Sequence, residues 1–118
     1  MLLLMKLAII VFACLVPACQ SGPPISPLIA AAREGDTQTI SALVKSGADV
    51  NQRGGVNNWT PLMHAVHKNQ PAAVLALIEA GADVNLTAGA RGRDTALRLA
   101  EIENESDISK TLRDHGAK

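Results

Sequence analysis

The sequence GADVN at residues 47–51 recurs at residues 81–85, an offset of 34 residues. The same offset joins the tripeptide SPL at 26–28 to TPL at 60–62, and a related TAL begins 35 residues later, at 95. Self-similarity at a fixed period of this size indicates a chain of stacked repeats. The sequence therefore predicts one domain over residues 26–118, divided into repeats of about 26–59, 60–94 and 95–118.

Each repeat has the local signals of two helices followed by a turn. Thr60 can cap a helix, and Pro61 then stands at the first helical position, where no N–H is needed. Gly47 and Gly81 are suited to end a helix in left-handed geometry. Three kinds of position agree in all three copies, namely Ala31, Ala65 and Ala100, then Leu43, Leu77 and Leu112, and then Gly47, Gly81 and Gly116.

The second helix of each repeat has an apolar face with helical spacing, which predicts burial on one side. The face consists of Ile40, Leu43 and Val44 in the first copy and of Val74, Leu77 and Ile78 in the second. In the third copy, Ser109 and Arg113 stand at two of these positions. Polar residues there predict a terminal repeat whose outer face meets water.

The repeat resembles the ankyrin family over about residues 26–117. The resemblance is carried by TPL at 60–62, Ala65, both copies of GADVN and HGA at 115–117. It implies an all-α solenoid of about three helix-turn-helix repeats with hairpin-like turn loops. This chain has Met63 where the family often has His, with His64 one residue later. Asn58 stands where the turn usually has Gly, and Asn tolerates left-handed geometry.

Residues 1–18 have the pattern of a secretory signal peptide, since Lys6 precedes an apolar run over residues 7–16. That run is shorter than the roughly 20 residues that span a bilayer. The sequence VPAC at 16–19 resembles the lipobox of bacterial lipoproteins, which implies removal of residues 1–18 and lipid attachment at Cys19. Gln20 follows, and the family's sorting rule then favours the outer membrane.

Several alternatives remain open for this segment. Cys14 is a rival attachment site, Met5 is a rival start, cleavage after Ala18 would release a soluble protein, and the segment could stay as an uncleaved anchor. Residues 19–25 are predicted to form a short Pro-rich tether that ends at Ile25. The expected location is the bacterial cell envelope, with the protein membrane-anchored through lipidated Cys19 and facing the periplasm.

Composition excludes several function classes. Lys and Arg total 11 and Asp and Glu total 11, a balance that argues against a nucleic-acid partner bound by a broad basic surface. The chain has one Trp, one Phe and no Tyr, so a base-stacking surface is not expected. His64 and His67 lack a third metal ligand at fixed spacing, and no nucleophile, base and orienting group occur together. We therefore expect no enzyme activity, no metal and no cofactor.

A protein-binding surface is the remaining expectation. In the ankyrin family, partners usually lie across the turn tips and the inner helices. Carried over position by position, these residues are Val56, Asn57, Trp59, His67, Lys68, Arg91, Arg93 and Asp94. Trp is enriched at binding hot spots, although a Trp at this position also packs on the neighbouring turn. Arg91 and Arg93 could meet an acidic partner or lipid headgroups, or could simply be solvated.

The sequence thus predicts a monomeric, non-enzymatic protein-binding module. One hypothesis is an exported lipoprotein that acts as an envelope scaffold or accessory factor. Another is an immunity protein that neutralises a toxic effector enzyme in the periplasm. A third is a structural envelope lipoprotein. The repeat supports the binding fold strongly but does not identify the partner, since a fold alone does not determine function.

Overall fold

The computed structural model describes residues 25–55 and 57–118. The predicted signal peptide, Cys19 and Val56 lie outside the described residues, as does all of the predicted tether except Ile25. The described residues contain six helices, which confirms the predicted all-α solenoid of three helix pairs. They are α1 Pro27–Glu34, α2 Thr37–Lys45, α3 Pro61–His67, α4 Pro71–Glu79, α5 Ala96–Ile102 and α6 Ser106–Asp114.

The first helix of every pair begins at a hydroxyl cap. Ser26 accepts a hydrogen bond from the N–H of Ile29 at 3.2 Å, and Thr95 accepts one from Arg98 at 3.1 Å. The predicted cap at Thr60 is confirmed, because its Oγ1 accepts from the N–H of Met63 at 3.3 Å. Each cap satisfies one of the backbone donors left unpaired at a helix start.

The repeated GADVN segment both ends a helix and joins neighbouring repeats. Gly47 and Gly81 have φ of 96° and 97°, so the predicted left-handed helix stops are confirmed. The side chain of Asn51 accepts a hydrogen bond from the N–H of Asp83 at 2.9 Å, and that of Asn85 accepts one from Lys118 at 3.0 Å. The Asn of each copy is therefore a contact to the following repeat.

The helices pack in two layers, α1, α3 and α5 in one and α2, α4 and α6 in the other. Ala31, Ala65 and Ala100 are at most 4% exposed, and such small side chains allow close approach of the helices within the first layer. One expectation was wrong. Ser109 is 6% exposed and lies in the packed interior, whereas Arg113 is exposed and pairs with Glu101. In the terminal repeat, Arg113 is therefore in contact with water. Ser109 is buried, as Ile40 and Val74 are at the equivalent positions of the first two repeats.

The two predicted hairpin-like turns are present. One is closed by an antiparallel bridge between Gly54 and Trp59, and the other by a bridge between Ala88 and Asp94. Asn58 has a φ of 53°, which confirms its predicted left-handed geometry. The N–H of Gly89 donates to the carbonyl oxygen of Asn57 at 3.2 Å, so the two turns are also bonded to each other. None of the described helices is long and apolar enough to cross a membrane.

Candidate functional site

Trp59 lies where the first turn meets α3, and its side chain connects the first turn to the second. Its indole Nε1 donates a hydrogen bond to Oδ2 of Asp94 at 3.0 Å. The residue is only 8% exposed, and its ring meets the rings of His64 and His67 edge to face, with centroids 5.7 Å and 5.3 Å away. The structure thus shows a packing role for Trp59. Direct contact with a partner stays a prediction.

His64 fastens the first turn to α3. Its Nε2 lies 2.9 Å from the carbonyl oxygen of Gly54, an acceptor, so Nε2 carries the proton and donates it. Burial lowers the pKa of His64, and the nearby charges of Arg33, His67 and Lys68 lower it further, whereas the bond to Gly54 acts in the opposite direction. Burial and these charges therefore favour the neutral ring over the imidazolium. In this chain Met63 stands where the family often has His. The bond to Gly54 is made by His64, one residue later.

His67 links the second and third repeats at the end of α3. Its Nδ1 lies 2.5 Å from Oε1 of Glu103, the residue that follows α5. The sequence analysis did not predict this pairing. Both residues lie at the end of the inner helix of their repeat, and the two repeats are neighbours. This equivalent placement was the sequence signal that could have predicted the pairing.

The inner side of the first two repeats contains a recess of about 280 Å³. It brings together four of the predicted binding residues and adds four that lie on α1, on α3 and in the segment before each helix. The lining consists of Ile25, Arg33, Gly55, Asn57, Trp59, His64, His67 and Lys68. The lining contains one Arg and one Lys side chain, two imidazole rings, an indole edge and no carboxylate.

A second recess of about 310 Å³ adjoins the first, because Asn57 lines both. The remaining members of its lining are Ala90, Arg91, Arg93, Asp94 and Arg98. Arg98 was not predicted as a binding residue, although its place in the first turn of α5 puts it beside the turn. We call the two recesses together the inner groove. Seven of the eight predicted binding residues lie in it, and the eighth, Val56, lies outside the described residues.

The groove offers hydrogen bonds, positive charge and an aromatic edge. Within residues 25–55 and 57–118, no three His, Cys, Asp or Glu side chains are grouped to hold a metal ion. Amide, guanidinium and ammonium groups on an open, concave surface are suited to non-covalent recognition.

The family model described as "Ankyrin repeats (3 copies)" matches residues 9–88 and residues 28–118. Among solved structures, the crystal structure of the human ASB11 ankyrin repeat domain is similar, with 30% sequence identity and a TM-score of 0.70. That similarity covers 80% of this chain and 41% of the other, so this chain spans about two fifths of its length. The comparison with curated proteins found no match. On its repeat sequence, its helix pairs and these similarities, the chain belongs to the ankyrin repeat family.

Proposed function

We propose that this protein is a non-enzymatic module that binds another protein in the inner groove. Ankyrin repeats are typical protein–protein interaction modules and are generally not enzymes. The observation that supports the proposal most directly is the clustering of seven predicted binding residues in two adjoining recesses. Those residues come from two turns and one inner helix, so the stacking of repeats is what creates the surface.

A bulky substitution that fills the groove without changing its charge tests this proposal. Asn57 is exposed and lines both recesses, and its side chain makes none of the described hydrogen bonds. We expect the full chain, purified in a mild detergent, to capture a protein from envelope extract and Asn57→Tyr to lose it. The matched control is Ser41→Tyr, an exposed position that lines a different recess beside α2 and α4.

Equal capture by Asn57→Tyr and Ser41→Tyr would contradict the groove as the binding site. Failure of the parent chain to capture any protein would contradict a resident envelope partner and would favour the immunity hypothesis, whose target arrives only with a competitor. Circular dichroism of each variant checks that the helices are retained.

We further propose that the protein is exported and anchored by lipid at Cys19, and that it faces the periplasm from the outer membrane. The support is the apolar run at 7–16, the sequence VPAC and the Gln that follows it. Each buried methylene of an acyl chain contributes about 0.8 kcal/mol to membrane binding, so several chains would hold the protein stably.

Labelling with an alkyne fatty acid in a bacterial host tests the anchor. We expect the full chain to be labelled and to fractionate with membranes, and Cys19→Ser to lose both properties. Cys14→Ser, the matched control, should keep them. Loss of the label with Cys14→Ser, or an unlabelled parent chain, would show that the attachment site is wrong.

A further inference from the structure

We infer that the inner groove recognises an acidic, extended segment of its partner, with one carboxylate near Arg33 and Lys68 and others near the arginines of the second recess. This inference rests on the proposed function, because it assigns the chemistry of the partner at that same site. The whole chain has equal numbers of acidic and basic residues, so an excess of cations in the groove is a local arrangement rather than a property of the composition.

The charges of the groove are strongly uneven. Its lining contains five Lys and Arg side chains, Arg33, Lys68, Arg91, Arg93 and Arg98, and one carboxylate, Asp94. That carboxylate already accepts the hydrogen bond from Trp59. The two ion pairs among the described residues join His67 to Glu103 and Arg113 to Glu101, and neither uses one of the five cations.

The direction of one pKa agrees with this positive field. Arg33, His67 and Lys68 all add to the burial that lowers the pKa of His64. Lys68 and Arg33 come from neighbouring repeats, and both line the first recess. Bringing like charges together costs free energy, and an anion seated between them would reduce that cost.

The shape of the groove favours a peptide over a membrane surface. Arg33 is only partly exposed, and it lines a recess that Trp59 also lines. A flat bilayer meets protruding groups, whereas an extended chain can place alternate side chains into successive recesses. The exposed side chain of Asn57, common to both recesses, can donate to and accept from a peptide backbone between them.

The lone tryptophan provides a local signal for binding. Trp59 is the only Trp of the chain and lies in the lining of the first recess. We would titrate the full chain, in a mild nonionic detergent, with a peptide of alternating Glu and Ser that has no aromatic residue. The control peptide has Gln in place of Glu. We expect a saturable change in Trp59 fluorescence, with the Glu peptide binding about tenfold more tightly. Added salt should weaken that binding.

Variants matched in charge locate the binding. Arg33→Gln with Lys68→Gln removes two cations of the first recess, and Arg91→Gln with Arg93→Gln removes two of the second. The control, Lys45→Gln with Lys110→Gln, removes two exposed cations that lie outside the groove lining. We expect each groove variant to bind the Glu peptide about fivefold more weakly, and the control to change by less than about twofold.

Equal weakening by the control variant, or equal affinity for the Gln peptide, would overturn the inference. So would binding to phosphatidylglycerol vesicles, sensitive to Arg91→Gln with Arg93→Gln, by a chain that does not bind the Glu peptide. These results are separate from the capture experiment. A protein lost only with Asn57→Tyr would support the proposed function even if the acidic peptide did not bind.

Discussion

The indole of Trp59 holds two turns together from a position that is nearly closed to solvent. Its hydrogen bond reaches Asp94, which lies 35 residues further along the chain. Both a packing role and a partner contact were compatible with the sequence at this position. The structure shows the packing role. Because Trp59 is nearly buried, a substitution at the exposed Asn57 is the better test of partner binding.

Replacing Trp59 with Phe should lower the free energy of unfolding by about 1–2 kcal/mol. The variant keeps an aromatic ring but removes the N–H that donates to the carboxylate of Asp94, and this range lies between the contribution of a neutral hydrogen bond, about 0.5–1.5 kcal/mol, and that of a bond to a charged group, about 1.5–3 kcal/mol. Urea unfolding measures the change. The same substitution on an Asp94→Ala background should cost clearly less, because the acceptor is already gone. An equal loss on both backgrounds would show that packing alone explains the effect.

His64 should make the protein less stable at mildly acidic pH. Burial lowers the pKa of His64 below its ordinary value of 6.5. As the pH falls through 6.5, the unfolded chain binds a proton at this residue and the folded protein does not. The free energy of unfolding therefore decreases between pH 6.5 and the lower pKa of the folded protein. Urea unfolding at about pH 7.5 and about pH 5.5 measures the loss.

The variant His64→Gln separates this effect from other titrations, because it keeps an amide donor for Gly54 and cannot titrate in this range. Burial raises the pKa of Glu105, so protonation of this residue adds to the free energy of unfolding as the pH falls. This opposite effect is present in both the parent protein and the variant. We expect a smaller loss in the variant. Identical pH profiles would exclude His64 as the cause.

The helix α3 begins at a cap that is itself buried. Thr60 is 2% exposed, and its hydroxyl accepts from the N–H of Met63. We expect Thr60→Ala to lower the free energy of unfolding by about 1 kcal/mol, because a donor inside the protein loses its partner. Thr60→Ser keeps the hydroxyl and should cost less, as measured by thermal and urea unfolding. Equal costs for the two variants would assign the effect to the lost methyl group.

The start and stop of the helices were predictable because their causes are local. A hydroxyl followed by Pro, and a Gly after the last apolar turn, act within three or four residues. Ser109 was mispredicted for the opposite reason. Polarity alone suggested exposure, but this position faces the packed layers in every repeat, and a small serine side chain can be enclosed there.

The three repeats depend on one another for a continuous core. Removing residues 95–118 would uncover faces of α3 and α4 and would delete the hydrogen bonds that join Asn85 to Gly116 and Lys118. Since about three repeats are needed for stability, we expect the truncated chain to lose its helical circular dichroism and its cooperative urea transition.

The control for that truncation is Arg113→Ala, which removes an exposed ion pair within the third repeat and should change stability by about 1 kcal/mol or less. A truncated chain that still unfolds cooperatively would show that two repeats suffice. The control variant should keep the transition in either case.

The repeat period, the helix caps, the left-handed glycines and the family could all be predicted from the order of residues, because each depends on contacts that recur along the chain. Seven of the eight predicted binding residues also proved to lie in one groove. Tertiary structure was needed for the pairing of His67 with Glu103, the burial of Trp59 against Asp94 and the joining of five cations across three repeats. These features depend on how far one repeat is displaced and rotated on the next, and that geometry is set only when the apolar faces pack.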